Sequence, residues 1–256
     1  MDQYGLIGFP LKHSFSKDYF NNKFAAEGID AEYINFEIKS IAEFKSIIQN
    51  NPQLRGLNVT IPYKEQVIPY LDKINENARP IGAVNVIRFK RKKKKTKLIG
   101  YNTDIIGFKQ SIEPLLQPHH QQALILGTGG AAKAVFFGLQ QLGLTATYVS
   151  RQKSSDQIIT YSDLSQEVME SHTVIVNCTP VGMWPKVEDC PAIPYQWLTN
   201  KHLLYDLLYN PDETLFMIKG EERGATVKNG LEMLLLQAFE GWNIWNKEKS
   251  EDKEDK

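Results

Sequence analysis

The chain has 256 residues, 42% of them apolar and 23% charged, the balance of a soluble globular protein with enough chain for one large or two modest domains and a real core. Its 30 Lys and Arg offset 30 Asp and Glu, so no global field draws it to nucleic acid or to an anionic membrane surface. Two cysteines, Cys178 and Cys190, exclude a disulfide framework and a CxxC metal pair and suggest a reducing, cytoplasmic setting. No signal peptide is expected at the N-terminus, and no membrane span, since no run of about 18 apolar residues occurs.

In chain order, "YGLIGFP" reads as a strand and "SKDYFNNKFAAEG" as a helix that stops at Gly28. "YINFEI" alternates as a strand does. "SIAEFKSIIQN" opens with Ser40 and Glu43 at capping-box spacing and continues with helical apolar spacing. "GLNVTI" is a strand ended by Pro62, with Lys64 two residues beyond. "AVNVIRF" and "KLIGY" are strands flanking the basic run "KRKKKKT", which has no interleaved aromatic and reads as a solvated hairpin tip rather than a nucleic-acid patch. "EPLLQPHHQQ" breaks the pattern with two prolines and is the expected domain connection. Beyond it come a buried-type strand, "ALILG"; a helix, "GAAKAVFFGLQQLG"; the strands "TATYVS", "TVIVNCT" and "LLYDLLY"; and a strongly apolar last helix, "LEMLLLQAFEGWNIW". The tail from 247 to 256 is nearly free of apolar residues and is expected to be disordered. The alternation of strand and helix predicts an α/β protein with two domains, the later one an open doubly wound sheet.

"LILGTGGAAKA" joins a predicted strand to a predicted helix. Gly127 permits the tight turn and Gly129 a close approach of pyrophosphate to the backbone. The helix N-terminus at Gly130 and Ala131 offers N–H groups and a favourable dipole, and Ala132 occupies the third fingerprint position. The next strand ends in "VSRQKS", with Ser150, Arg151 and Lys153 where an NAD site usually carries an acid. A cation there suits a 2′-phosphate, hence NADP, the plainer alternative being a solvated loop arginine.

The motifs "IGFPLKHSFS", "LNVTIPYKE", "IGAVNVI", "GYNTDIIGF", "LGTGGAAKA", "NCTPVGM", "YDLLYNPDET" and "GLEMLLLQA", in this order from Tyr4 to about Trp245, resemble the shikimate dehydrogenase family. The resemblance implies reversible, NADP-dependent reduction of 3-dehydroshikimate to shikimate in aromatic amino-acid (chorismate) biosynthesis. It implies Ser14 and Ser16 on the substrate carboxylate, Thr60 orienting the substrate, and Asn85 and Asp104 on its ring hydroxyls. Lys64 becomes the catalytic lysine, paired with Asp104, while Tyr209 and Gln237 close the substrate pocket. Thr179 and Gly230 line the nicotinamide, and Arg151 meets the 2′-phosphate. The chain departs from the family at Ser150-Arg151-Gln152, where Asn-Arg-Thr is common, and at Ser154-Ser155, where a second arginine often stands; Lys153 is the available substitute.

Hydride transfer to a ketone leaves negative charge on its oxygen. A donor within hydrogen-bond reach lowers that barrier and speeds the step by a factor of about 100 to 10,000. Lys64 after the strand and Asp104 before a helix both stand at element ends, where α/β sheets hold ligands. The residues alone leave other readings open. Asp104, Ser14 and Ser16 could be helix caps, and Asn85 a satisfied core amide. Cys178 is more plausibly a small buried residue than a nucleophile, and no histidine pair has metal-ligand spacing. The expected organisation is a substrate domain at 1–103 completed by the helix 231–246, a dinucleotide domain at 104–230, and reaction in the cleft between them. The expected partner is a small-molecule substrate, with no metal, nucleic acid or membrane, in a monomer or homodimer. Two other readings stand beside this one, an NAD-using quinate/shikimate dehydrogenase and a non-catalytic dinucleotide-binding regulator.

Overall fold

The structure, a computed structural model, describes residues 1–11, 15–92, 95–152 and 158–254, without the side chains of 92, 95 and 248–254. It divides into two compact units, Met1–Thr103 with Ala238–Lys256, and Asp104–Gln237.

In the first unit the elements are β1 (Asp2–Gly8), α1 (Phe15–Glu27), β2 (Ala31–Glu37), α2 (Phe44–Asn50), β3 (Leu54–Val59), the single turn α3 (Tyr63–Gln66), the short β4 (Lys73–Ile74), β5 (Val86–Lys92) and β6 (Lys95–Tyr101). The strands form one mixed sheet in the order β2-β1-β3-β5-β6-β4. Strand β1 runs parallel to β2 and β3, whereas β5 is antiparallel to both β3 and β6. Alternation along the strands splits the apolar side chains between two faces. Ile7, Leu57, Val59, Ile87 and Phe89 pack with Phe44, Tyr63 and Val67. Tyr4, Leu6, Tyr33 and Val86 pack with Phe20 and Phe24 of α1 and with Ile244 and Trp245 near the chain's end. The Trp245 indole N–H donates to Ile87 O at 3.1 Å, tying the last helix to the sheet. The Ser40–Glu43 capping box is formed, although it opens a 3-10 turn over Ile41–Glu43 before α2. The basic run sits on the β5–β6 hairpin, paired as far as Lys92 with Lys95; its tip, Lys93 and Lys94, lies outside the described residues.

The second unit contains α4 (Asp104–Ile112), β7 (Gln122–Leu126), α5 (Gly130–Gln141), β8 (Thr145–Ser150), β9 (Ile158–Thr160), α6 (Gln166–Ser171), β10 (Val174–Asn177), β11 (Leu203–Asp206), α7 (Leu215–Glu221) and β12 (Thr226–Lys228), with α8 (Leu231–Glu254) beginning in it. All six strands are parallel, in the order β12-β11-β10-β7-β8-β9. The chain moves outward from β7 to β9, then returns to the other side of β7 for β10 to β12, which is the doubly wound Rossmann order. Ala123, Ile125, Val174, Val176 and Tyr205 face Phe108, Ile112, Val135 and Leu139 of α4 and α5. Leu124, Leu126, Ile175 and Leu204 face Met169 and Phe216 of α6 and α7.

Two expectations change. The segment 113–122 is not a domain connection: its prolines end α4 and lead into β7 inside the second unit, because Phe108 and Ile112 of α4 belong to that unit's core. His119 and His120, also expected in the connection, sit against the Lys201 carbonyl at 3.0 and 3.1 Å. The last helix runs from Leu231 to Glu254. Among the described residues, no helix is long and apolar enough to cross a membrane.

Candidate active site

In the second unit, β7 ends at Leu126 and the chain turns at Gly127, whose φ of +101° lies in the region that favours glycine. Gly129 is the extended residue before α5, and a side chain added to it would meet no protein atom within 4 Å. Protein packing therefore does not require glycine here; what the bare backbone allows is close approach by a ligand to the N-terminus of a 12-residue helix, where unpaired N–H groups and the dipole favour phosphate. The turn lies at the switch point between β7 and β10, where such sheets bind ligands. Strand β8 ends at the half-buried Ser150, followed by the exposed Arg151. Lys153 lies outside the described residues.

The loop after β10 carries Thr179. Its hydroxyl donates to Asn177 Oδ1 at 2.6 Å, its N–H to the same oxygen at 3.0 Å, and Val181 N–H donates to Thr179 Oγ1 at 3.3 Å. A side chain on Gly127 would come within 3.1 Å of Thr179 Cγ2, so the glycine turn and the threonine loop are neighbours. Asn177 Nδ2 donates to Asp206 Oδ1 at 3.0 Å, and Asp206 also accepts from Leu208 N–H at 3.0 Å and Thr214 Oγ1 at 2.7 Å. Asn177, Asp206 and Thr214 are all fully buried. Burial pushes the Asp206 carboxyl up to about 6, against the three hydrogen bonds that favour its ionised form. None of these three stands out in the sequence; the one available signal is a carboxylate closing the apolar strand "LLYD". Tyr209 follows, half-buried, its phenol pushed up by burial. Gly230 N–H donates to Leu208 O at 2.9 Å, and a side chain at Gly230 would collide with the Leu207 carbonyl, so only glycine fits. Gln237 is half-buried and donates to Leu234 O at 3.0 Å. Asp104 is buried at the start of α4. The Cys178 thiol is pushed well up by burial, which suits a packing role over that of a nucleophile.

In the first unit, Thr60 follows β3, its N–H donating to Ile7 O at 2.9 Å. Thr60 O in turn accepts from Tyr63 N–H at 2.9 Å, closing the chain into α3. The buried Tyr63 anchors that turn by donating to Ile38 O at 2.7 Å. Lys64 is therefore half-buried on a pinned helical turn, and its carbonyl accepts from Val84 N–H at 2.7 Å. This places it beside Asn85. The buried Asn85 side chain donates to Thr103 Oγ1 at 3.0 Å and accepts from Thr103 N–H at 2.7 Å, so the core-amide reading holds at least in part. Ser16 lies in the first turn of α1, and Tyr33 Oη donates to Asn58 Oδ1 at 2.7 Å. Asn58 Nδ2 in turn donates to Asn85 O at 3.4 Å. Thr60, Lys64 and Asn85 thus lie on segments tied by backbone hydrogen bonds, and Asn58 joins Tyr33 to Asn85. Ser14 lies outside the described residues. Tyr33 and Asn58, which join β2 to Asn85, carry no mark in the sequence beyond strand periodicity.

A bare glycine turn at the switch point of a six-stranded parallel sheet, with a cation after the next strand, defines an α/β protein of the Rossmann-type dinucleotide-binding class. Residues 6–87 match the family model of the shikimate dehydrogenase substrate binding domain. The chain is 34% identical over 257 residues to a shikimate dehydrogenase (NADP(+)) of Caldicellulosiruptor saccharolyticus, covering 94% of this chain and 90% of the relative. It is 36% identical to the shikimate dehydrogenase (NADP(+)) of Aquifex aeolicus, covering 95% and 90%. The crystal structure of shikimate dehydrogenase from Aquifex aeolicus superposes with a TM-score of 0.84, covering 96% of this chain and 93% of that one. The chain belongs to the shikimate dehydrogenase family.

Proposed function

We propose that this chain catalyses the reversible reduction of 3-dehydroshikimate to shikimate with NADPH, its first unit binding the substrate and its second the dinucleotide. The observation that carries the reading is the glycine turn at the switch point, with Thr179 on the adjoining loop and Arg151 after the next strand. When bound, NADPH supplies the hydride. Gly127, Gly129, Gly130 and Ala131 would hold its pyrophosphate, Ser150, Arg151 and Lys153 its 2′-phosphate, and Thr179 and Gly230 its nicotinamide end.

The remaining residues bind substrate and handle the proton. Ser14 and Ser16 take the carboxylate with their hydroxyls, Thr60 orients the ring, and Asn85 and Asp104 meet its hydroxyls. Tyr209 and Gln237 border the substrate. Lys64 stabilises the oxyanion as the hydride arrives and gives it a proton. Asp104 is its partner, and the proton belongs to the pair. Support for Lys64 comes from its anchorage: Tyr63 below and Val84 beside it fix the turn that presents the ammonium. The same reading takes a small-molecule substrate and a monomer or homodimer working in the cytoplasm.

Purified protein is assayed with shikimate or quinate, each with NADP or NAD, from neutral to alkaline pH. Shikimate with NADP is expected to turn over best. No turnover of that pair at any pH sinks the proposal, and quinate with NAD as the best pair replaces it with the quinate reading.

A further inference from the structure

Asp206 is a fully buried carboxylate, and each hydrogen-bond partner it has in the structure is a donor. A buried carboxylate with three donors is a fixed point, because an ionised carboxylate can only accept. That property decides which way round the Asn177 amide sits. Its Nδ2 must face Asp206, so its Oδ1 must face the loop, where it accepts from both the hydroxyl and the N–H of Thr179. The second arm of Asp206 holds Leu208 N–H, one residue before Tyr209, and its third holds Thr214, at the head of α7. One carboxylate thus sets two loops at the C-terminal edge of the sheet, beside the glycine turn.

We propose that Asp206 is a positioning residue for hydride transfer: by orienting Asn177 it fixes the Thr179 hydroxyl and the loop that meets the nicotinamide end of the dinucleotide. The inference rests on the assignment of Thr179 to that end of the cofactor. Asp206 itself is fully buried beneath the loops it holds. Its influence is geometric, and a displacement of about 1 Å at a reacting centre is enough to cost about 100-fold in rate.

The test separates positioning from bulk stability by comparing two ligands. NADP reaches the Thr179 loop, whereas 2′-phospho-ADP-ribose, which lacks nicotinamide, engages only the glycine turn and the Arg151 end. Asp206→Ala is expected to lower kcat by about 10- to 100-fold and to raise the KM for NADP several-fold, with the inhibition constant of 2′-phospho-ADP-ribose unchanged. Asp206→Asn keeps an acceptor for Asn177 and Leu208 and can donate to Thr214, so it is expected to recover most of the activity. Thr214→Val cuts only the arm to α7 and is expected to keep wild-type kinetics. Thr179→Val cuts the chain at its loop end; it should reproduce the kinetic change, and Asp206→Ala added to it should contribute little more.

Wild-type kcat and NADP KM in Asp206→Ala overturn the proposal. So does a loss of 2′-phospho-ADP-ribose binding equal to that of NADP, which would mean general loosening of the unit. If Asp206→Ala does not fold, the half-buried Thr179→Val decides by the same two-ligand comparison. Failure of the wild type to turn over shikimate with NADP counts against the functional reading, whereas a normal wild type with an indifferent Asp206 counts against this inference alone.

Discussion

Asn85 and Thr103 hold each other by two hydrogen bonds, the amide Nδ2 donating to the threonine hydroxyl at 3.0 Å and the threonine N–H donating to the amide oxygen at 2.7 Å. The pair fixes the plane of the amide. Thr103→Val removes one of the two bonds inside a buried network, at a cost of about 1–3 kcal/mol, and should leave turnover within several-fold of wild type because the N–H bond still orients the amide. Asn85→Ala removes both bonds and the proposed ring contact, and should also raise the shikimate KM by about tenfold, equivalent to one hydrogen bond. Denaturation midpoints and steady-state kinetics on both variants check this. An unchanged KM in Asn85→Ala would leave Asn85 with a structural role alone.

Lys64→Ala should separate chemistry from folding in the opposite sense. The turn is held by Tyr63 Oη and by the Lys64 carbonyl, neither of which the substitution touches. The turn itself should therefore keep its backbone geometry and the variant should fold. Turnover should fall by about 100- to 10,000-fold, the range for a lost proton donor, with a much smaller change in shikimate KM, as expected of a contact made chiefly in the transition state. Steady-state assays with saturating NADP measure both constants, and unchanged turnover removes Lys64 from the mechanism.

The order of elements was legible because long apolar runs such as "ALILG" and "TVIVN" admit few alternatives in an α/β chain. Strands β9 and β12, three residues each, are too short for a period to show. The prolines at 114 and 118 read as a connection but lie inside the second unit, because Phe108 and Ile112 of α4 before them pack into its core. Site residues followed the same logic. The glycine turn announced itself because its chemistry is local. Lys64 needed the order of motifs around it. Asp206 showed only as a carboxylate closing an apolar strand, since its meaning depends on Asn177, 29 residues earlier, and Thr214, 8 residues later.

Arg151 is exposed, so replacing it should not disturb the fold. If it meets the 2′-phosphate, Arg151→Ala should raise the KM for NADP by about tenfold or more, the value of one charge-assisted contact, and leave the KM for NAD where it was. Arg151→Asp should go further, because a carboxylate repels the 2′-phosphate and can accept from a ribose 2′-hydroxyl. The ratio of kcat/KM for the two dinucleotides measures the change. Equal effects on both would mean that the cation acts elsewhere.

Asp206 also carries a pH signature. Its folded-state carboxyl titrates near 6 against an ordinary value of 3.8, because burial disfavours the charge. A raised value means that the native protein binds this proton more tightly than the unfolded chain does. Its contribution to stability is therefore full below about pH 4 and is lost as pH rises through 6, a change of about 3 kcal/mol. His120 and His172 act in the opposite direction: burial lowers both, so their contributions fade as pH falls below the ordinary histidine range. The two trends overlap in the wild type, but the histidines are common to wild type and Asp206→Asn and cancel in the difference. Unfolding free energies of the two proteins, measured by denaturant from pH 4 to 7.5, should show the variant gaining on the wild type as pH rises and levelling off above about pH 7. A difference that does not vary with pH would mean that the Asp206 carboxylate is no costlier to ionise in the fold than in water.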